Sequence, residues 1–207
     1  EFISMAEETG LITSIGYSIL ESACLQAKQW QTAGYRDISI AVNLSAVQFS
    51  QQDLLKRILN TMIASGISPG QLELEITESL LMQNQKSAIQ TMSQLNQLGV
   101  QLSIDDFGTG YSSLSYLKRF PVQKIKIDQS FIKDLEKNED DLAIALAIIQ
   151  LSHTLGMTVV AEGVESAAQF KLLQKMGCDI IQGFYFSRPI EQAEVANWIS
   201  KLDINAK

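Results

Sequence analysis

One histidine, three prolines and two cysteines in 207 residues narrow the chemistry before any motif is read. With His153 alone, a His-rich metal centre is excluded, and a Ser/His/Asp triad would have to use that single imidazole. The apolar pattern around it predicts a buried, structural His153 inside a helix. Cys24 and Cys178 lie far apart in an otherwise unstapled chain and read as reduced thiols of a cytoplasmic domain. The scarcity of proline, with no Ser/Gly/Pro-rich stretch, leaves no linker or disordered tail. No apolar run approaches the roughly 18 residues of a membrane helix; the longest, 142–151, is interrupted by Gln150. Positive charge is also in short supply. Sixteen Lys and Arg against 23 Asp and Glu give a net charge of -7, which excludes the basic surface needed to hold DNA or RNA. A phosphate-bearing ligand stays possible, because bound cations can supply the positive charge locally. The opening Glu1-Phe2-Ile3-Ser4 is neither a signal peptide nor an initiator methionine, so the chain is expected to begin within a longer sequence.

What the chain does contain is a repeated phrase of strand, then helix. After a helical pattern over 13–33 that stops at Gly34, strands are predicted at 38–44, 72–76, 100–104, 124–127, 158–161 and 179–182. The helices between them are predicted to close at Gly66, Gly99, Gly156 and Gly177, with further helices at 112–118 and 192–202. Ser50 is the predicted cap of the second helix, whose apolar face would be Leu54, Leu55, Ile58, Leu59 and Met62. Six strand–helix units imply a parallel sheet covered by helices. An open doubly wound sheet fits the length directly. A (β/α)8 barrel usually needs about 250 residues, so the same six units would be a barrel lacking about its first two strands.

The polar residues favour the barrel. Each strand ends in a residue that apolar packing would not select: Asn43; Glu75 and Glu78; Asp105 and Asp106; Lys126 and Asp128; Glu162 and Glu165; Gln182. A barrel gathers all of these at one mouth, whereas an open sheet spreads them along an edge. Taken singly, several have ordinary explanations. Glu165 and Asp128 could be helix or turn caps, and Glu78 a first-turn carboxylate favoured by the helix dipole. Six strands out of six ending this way point to a site. Its donors are oxygens, suited to Mg²⁺ or Mn²⁺ rather than Zn²⁺. Adjacent carboxylates such as Asp105 and Asp106 repel unless a cation neutralises them, and Lys126 would stand near the developing charge or an attacking water. The loop Phe107-Gly108-Thr109-Gly110-Tyr111-Ser112-Ser113 has the glycines to let backbone approach a ligand or to move as a lid.

In this order, the motifs Ala6-Glu7-Glu8-Thr9-Gly10, Val42-Asn43-Leu44-Ser45, Glu75-Ile76-Thr77-Glu78, Asp105-Asp106-Phe107-Gly108-Thr109-Gly110-Tyr111-Ser112, Lys124-Ile125-Lys126-Ile127-Asp128, Ala161-Glu162-Gly163-Val164-Glu165 and Gln182-Gly183-Phe184 resemble the EAL family of bacterial phosphodiesterases, which linearise cyclic di-GMP to pGpG. The resemblance covers essentially the whole chain. It implies a TIM-like barrel with one reversed strand near its start, and two Mg²⁺ or Mn²⁺ ions held by Asn43, Glu75, Asp105, Asp106 and Asp128. It also implies Glu162 as general base and Lys126 as the group that orients the water. Glu78 and the 106–113 loop would couple dimer contacts to activity, Gln182 would lie near the guanine or metal site, and Glu165 would support it. The Glu-Ala-Leu signature itself belongs upstream of the Ala-Glu-x-x-Gly motif and is expected to precede this chain. The resemblance further implies a cytoplasmic homodimer carrying upstream GGDEF or sensory domains. A receptor for cyclic di-GMP and a regulatory domain that binds only proteins are the alternatives.

Overall fold

The computed structural model describes residues 2–35, 38–110 and 114–205. In chain order the elements are α1 (Phe2–Glu8), α2 (Leu11–Thr32), β1 (Ile40–Asn43), α3 (Ala46–Phe49), α4 (Leu54–Ser65), β2 (Leu72–Thr77), α5 (Glu78–Gln83), α6 (Gln85–Gln97) and β3 (Gln101–Phe107). They continue as α7 (Leu114–Leu117), β4 (Lys124–Ile127), α8 (Ser130–Lys133), α9 (Glu139–Thr154), β5 (Thr158–Ala161), α10 (Ala167–Met176), β6 (Ile180–Ile181) and α11 (Gln192–Asn205).

The six strands form one parallel sheet in the order β1-β2-β3-β4-β5-β6. A doubly wound sheet would reverse its strand order at a switch point. Here each strand pairs with the next in the chain, the neighbour order of a TIM-type barrel. The strands also alternate in polarity, whereas a sheet covered by helices on both faces is apolar throughout. Leu72, Leu74, Ile76, Leu102, Ile104, Ile125 and Ile127 are almost wholly buried and pack in one core with Met92, Leu95 and Ile149 of the helices. Each such side chain contributes about 1.5–3 kcal/mol by leaving water. The intervening positions, Glu73, Glu75, Ser103, Asp105, Lys124 and Lys126, occupy the other face. That inner face is open at the ends of the described sheet, where Ala41, Asn43 and Ile180 are exposed.

Gly34, Gly66, Gly99, Gly156 and Gly177 all take positive φ just beyond α2, α4, α6, α9 and α10, as the sequence predicts. Other local expectations are corrected. Ser50 does not start α4. It follows α3, a short helix with a reciprocal capping box in which Ser45 accepts the Gln48 N–H and Gln48 reaches back to the Ser45 N–H. Leu59 lies partly outside the apolar face of α4. Helix α5 is additional, and Ser166 rather than Glu165 caps α10, accepting the Gln169 N–H.

His153 is exposed, not buried. In the last turns of α9 the inward positions go to Ile148, Ile149 and Ser152, which turns His153 to the surface. There it lies 2.9 Å from Asp179 Oδ2, which also accepts the Val159 N–H at 2.8 Å. Burial works to raise the Asp179 pKa, but the Val159 N–H and His153 outweigh it and hold the carboxyl below its ordinary value. A depressed carboxylate stabilises the fold above its unfolded pKa and loses that contribution as pH falls through the folded one. Asp179→Ala is therefore expected to destabilise the domain by roughly 1 kcal/mol at pH 7. Urea titrations should show the gap to wild type closing once the pH falls well below about 3.9. Burial pushes both cysteine thiols up to about 11, and both cysteines are free. Among the described residues no helix is long and apolar enough to cross a membrane.

Candidate active site

The centre of the strand-end cluster is Lys126 on β4. Its Nζ lies 2.7 Å from Glu75 Oε1 on β2, 3.1 Å from Asp105 Oδ1 on β3 and 2.6 Å from Glu162 Oε1 just after β5. The side chains of Lys126, Glu75, Asp105 and Glu162 are 5%, 9%, 10% and 18% exposed. Burial alone would lower the lysine pKa, but hydrogen bonds to Glu162 and Glu75 overcome it and the pKa is raised. A raised lysine pKa keeps its stabilising contribution below the unfolded value of about 10.4, which spans the whole working pH range. Glu75 and Glu162 are both raised above their ordinary values, by burial first, with the neighbouring carboxylates adding to it and Lys126 opposing it.

Two consecutive aspartates reach this mouth because β3 is bulged. Ile104 pairs with Ile125 and Phe107 with Ile127, so Asp105 and Asp106 together stand opposite the one residue Lys126. In a regular strand they would point to opposite faces, and Asp106 would meet the apolar side. Instead Asp106 adopts φ 53, the only positive φ of a non-glycine among the described residues. Aspartate tolerates this left-handed geometry better than most side chains. The Asp106 N–H donates to Asp105 Oδ1 at 3.0 Å. Burial, Asp105 and Asp128 raise the Asp106 pKa, which places Asp128 beside it. Asp105, Asp106 and Glu162 present carboxylate oxygens within 4.8 Å of one another, a set that fits a hard divalent cation.

Asn43 ends β1 in register with Glu75 and is exposed at the mouth. Asp128 also performs its expected turn role, with Oδ1 accepting the Ser130 N–H at 2.9 Å. Glu78 opens α5, is almost completely buried, and accepts the Gly108 N–H at 2.9 Å through Oε2. Gly110 rests against the same carboxylate: a Cβ there would fall 2.9 Å from Glu78 Oε1. Phe107 is buried, and the Thr109 hydroxyl donates to Asp106 O at 2.8 Å. The loop 107–110 is thus tied to Glu78 on one side and to the bulge on the other. Tyr111, Ser112 and Ser113 lie outside the described residues. Glu165 and Gln182 are exposed and are not drawn into the Lys126 cluster.

Two charged residues with no assigned role in the sequence lie one level below: Lys124 Nζ is 2.5 Å from Glu73 Oε2. The signal was legible in Glu-Leu-Glu and Lys-Ile-Lys, where charge recurs every second residue. Away from the mouth, a cleft of about 360 Å³ between α2 and α4 is lined by Tyr17, Glu21, Arg57 and Asn60. There Arg57 stacks over Tyr17 and pairs with Asp53, and the cleft gathers no cluster of carboxylates.

By where its charge is placed, the chain is an α/β domain of the barrel type with an acidic centre at the C-terminal ends of its strands. Comparison with known proteins makes this specific. The EAL domain family matches residues 1–189, and the chain belongs to that family. It is 49% identical over 199 residues to the signaling protein YkoW of Bacillus subtilis, covering 96% of this chain and 25% of that protein. It is 46% identical over 190 residues to MucR of Pseudomonas aeruginosa, a bifunctional diguanylate cyclase/cyclic di-GMP phosphodiesterase, covering 92% and 28%. The solved PaMucR phosphodiesterase in complex with c-di-GMP superposes with a TM-score of 0.92 at 45% identity, over 94% of this chain and 78% of that one. A Klebsiella pneumoniae BlrP1 manganese/cy-diGMP complex gives 0.75 at 31% identity, over 85% and 45%. The chain spans about a quarter of the length of the curated relatives it matches.

Proposed function

We propose that the protein containing this chain is a metal-dependent phosphodiesterase that hydrolyses cyclic di-GMP to linear pGpG. The observation that carries the reading is the ammonium of Lys126 clasped by Glu75, Asp105 and Glu162, with Asp106 and Asp128 alongside. Support comes from the 46% identity to MucR, whose name includes that activity.

Asn43, Glu75, Asp105, Asp106 and Asp128 would hold two Mg²⁺ or Mn²⁺ ions. When bound, such ions supply Lewis-acid charge and an acidified water. Glu162, whose Oε1 is held by Lys126, takes the proton from the attacking water on its other carboxylate oxygen as the water oxygen bonds to phosphorus. The bond to the ribose 3′ oxygen breaks, and that oxygen leaves as a hydroxyl by taking a proton from solvent. The raised pKa of Glu162 brings that carboxylate nearer the range of an effective general base. Lys126 stays protonated, orients the water and offsets the charge growing on the phosphoryl oxygens. Glu78 holds the 107–110 loop through the Gly108 N–H; in this reading Glu165 would support the site and Gln182 would lie near the guanine or metal site. Residues 1–207 act as one EAL domain, a portion of a longer cytoplasmic homodimer with sensory or GGDEF domains. The greater length of its relatives supports the longer chain.

Full-length protein incubated with cyclic di-GMP and Mn²⁺ should release pGpG, read by chromatography. Glu162→Gln should lower kcat by about 10²–10⁴ and leave the nucleotide Kd within a few-fold. Tight binding without linear product in the wild type would assign a receptor instead, and no binding at all would leave a protein-interaction domain.

A further inference from the structure

The inner face of the sheet carries charge on two levels. Glu73 and Glu75 lie two residues apart on β2, and Lys124 and Lys126 two apart on β4, so each strand repeats its charge at a spacing of about 6.7 Å. Both ion pairs cross from β2 to β4 over the intervening strand: Glu75 with Lys126 at the mouth, and Glu73 with Lys124 below it. The residue of β3 beneath this crossing is Ser103, in register with Glu75 on one side and Lys124 on the other. Ser103 is completely buried, and its Oγ has no hydrogen-bond partner among the described residues. Its small side chain leaves the path along which the long side chains of β2 and β4 meet; a larger one would block it.

We propose that Glu73 and Lys124 are a positioning pair that sets where the Lys126 ammonium sits. The Glu73 side chain is 6% exposed, so its carboxylate needs a cation at close range. Lys124 satisfies it on its own level. Without Lys124, the other lysine of β4 is Lys126, two residues on, whose flexible four-carbon stem can bend one level down. That movement would take the ammonium away from Asp105 and Glu162, where the proposed chemistry needs it. The converse also holds. Without Glu73, Lys124 is left to compete for Glu75, the carboxylate shared with Lys126. The lower pair prevents both exchanges while touching no reacting atom.

The kinetic part rests on the phosphodiesterase reading, so the test has a second readout that does not. Full-length Lys124→Met, Glu73→Gln, the double variant and Lys124→Arg are compared with wild type. The measurements are kcat, KM, Mn²⁺ affinity by calorimetry and thermal melting. Each neutralising single variant should lose about tenfold or more in kcat at saturating Mn²⁺, with KM within roughly threefold. Their Mn²⁺ affinities should move in opposite directions by about fivefold: tighter in Lys124→Met, whose upper carboxylates are freed, and weaker in Glu73→Gln, where a lysine competes for Glu75. The double variant, with neither charge, should return to within roughly threefold of wild type in both, and Lys124→Arg should retain them. A simple field effect would not lower kcat in both singles, and a simple packing role would not be repaired by the second substitution. Should Lys124→Met fail to fold, Glu73→Gln and the double variant carry the same comparison. Singles that keep wild-type kcat and Mn²⁺ affinity, or a double variant as impaired as its parents, would overturn the proposal. If wild type releases no pGpG, the phosphodiesterase reading falls, and the Mn²⁺ titrations are then joined by a crystal structure of Lys124→Met: a Lys126 ammonium displaced toward Glu73 upholds the positioning role, and one still between Asp105 and Glu162 overturns it.

Discussion

Lys126→Met is expected to destabilise the metal-free protein by about 3–5 kcal/mol and to lower kcat by about 10²-fold or more. The lysine is almost fully buried and contacts three carboxylates, so the substitution leaves Glu75, Asp105 and Glu162 with no cation at their centre. Removing one member of a buried ion pair costs more than the pair contributes, because the remaining charge keeps its full desolvation penalty. Bound cations can replace the missing charge. Mn²⁺ should therefore raise the melting temperature of Lys126→Met by more than it raises that of wild type, since ligand binding to the folded state stabilises by mass action. Thermal melts with and without Mn²⁺ decide the matter. Equal stability of the two metal-free proteins would show that the three carboxylates are not held by this lysine.

Gly183→Ala should cost about 3–5 kcal/mol, one of the largest effects of any single added methyl group. A Cβ on Gly183 would lie 2.1 Å from Val164 O and 2.4 Å from Val164 N, both backbone atoms with no rotamer to relieve them. The same stretch is stitched by backbone bonds: the Val164 N–H to Gln182 O at 3.1 Å, and the Tyr185 N–H to Val164 O at 2.9 Å. Making room means parting β6 from the turn that follows Glu162, so part of the loss should appear in turnover as well. Urea denaturation gives the stability directly. A variant within 1 kcal/mol of wild type would mean that the two backbones can part at little cost. The need for glycine at this position comes from a close approach of two backbones and not from φ, which distinguishes it from the helix-ending glycines.

Much of the site was legible because its signal is periodic. Strands that alternate Leu or Ile with Glu or Lys, as in 72–77 and 124–127, state their two faces outright. That alternation excludes a sheet buried on both sides. The polar strand ends in Asn43, Glu75, Asp105, Lys126 and Glu162 likewise needed only the count of strand–helix units to be placed together. Rotation about a helix axis is written less plainly in the residues. His153 lies near the end of a largely apolar helix with a weak amphipathic pattern, and nothing local says which of its flanks meets the sheet. Ser50 ends the short helix α3 that Ser45 caps, and α4 starts only after Asp53, while Glu165 stands next to Ser166, which has a glutamine three residues on to close the box.

The sequence by itself determined the class of fold, the order of its units and the oxygen-donor chemistry of its mouth, because all three follow from short-range periodicity and residue type. Only the tertiary structure decided how the charges are shared. The bulge that sends Asp105 and Asp106 to one side depends on pairing β3 with β4, which lies nearly twenty residues further along the chain. The clasp of three carboxylates on Lys126 depends on β2, β4 and the end of β5 standing around β3. The assignment of Glu73 to Lys124 and of Glu75 to Lys126 crosses from β2 to β4 over Ser103 of the strand between them. Each is a contact between residues distant in sequence, and its energy belongs to the assembled sheet rather than to any segment of it.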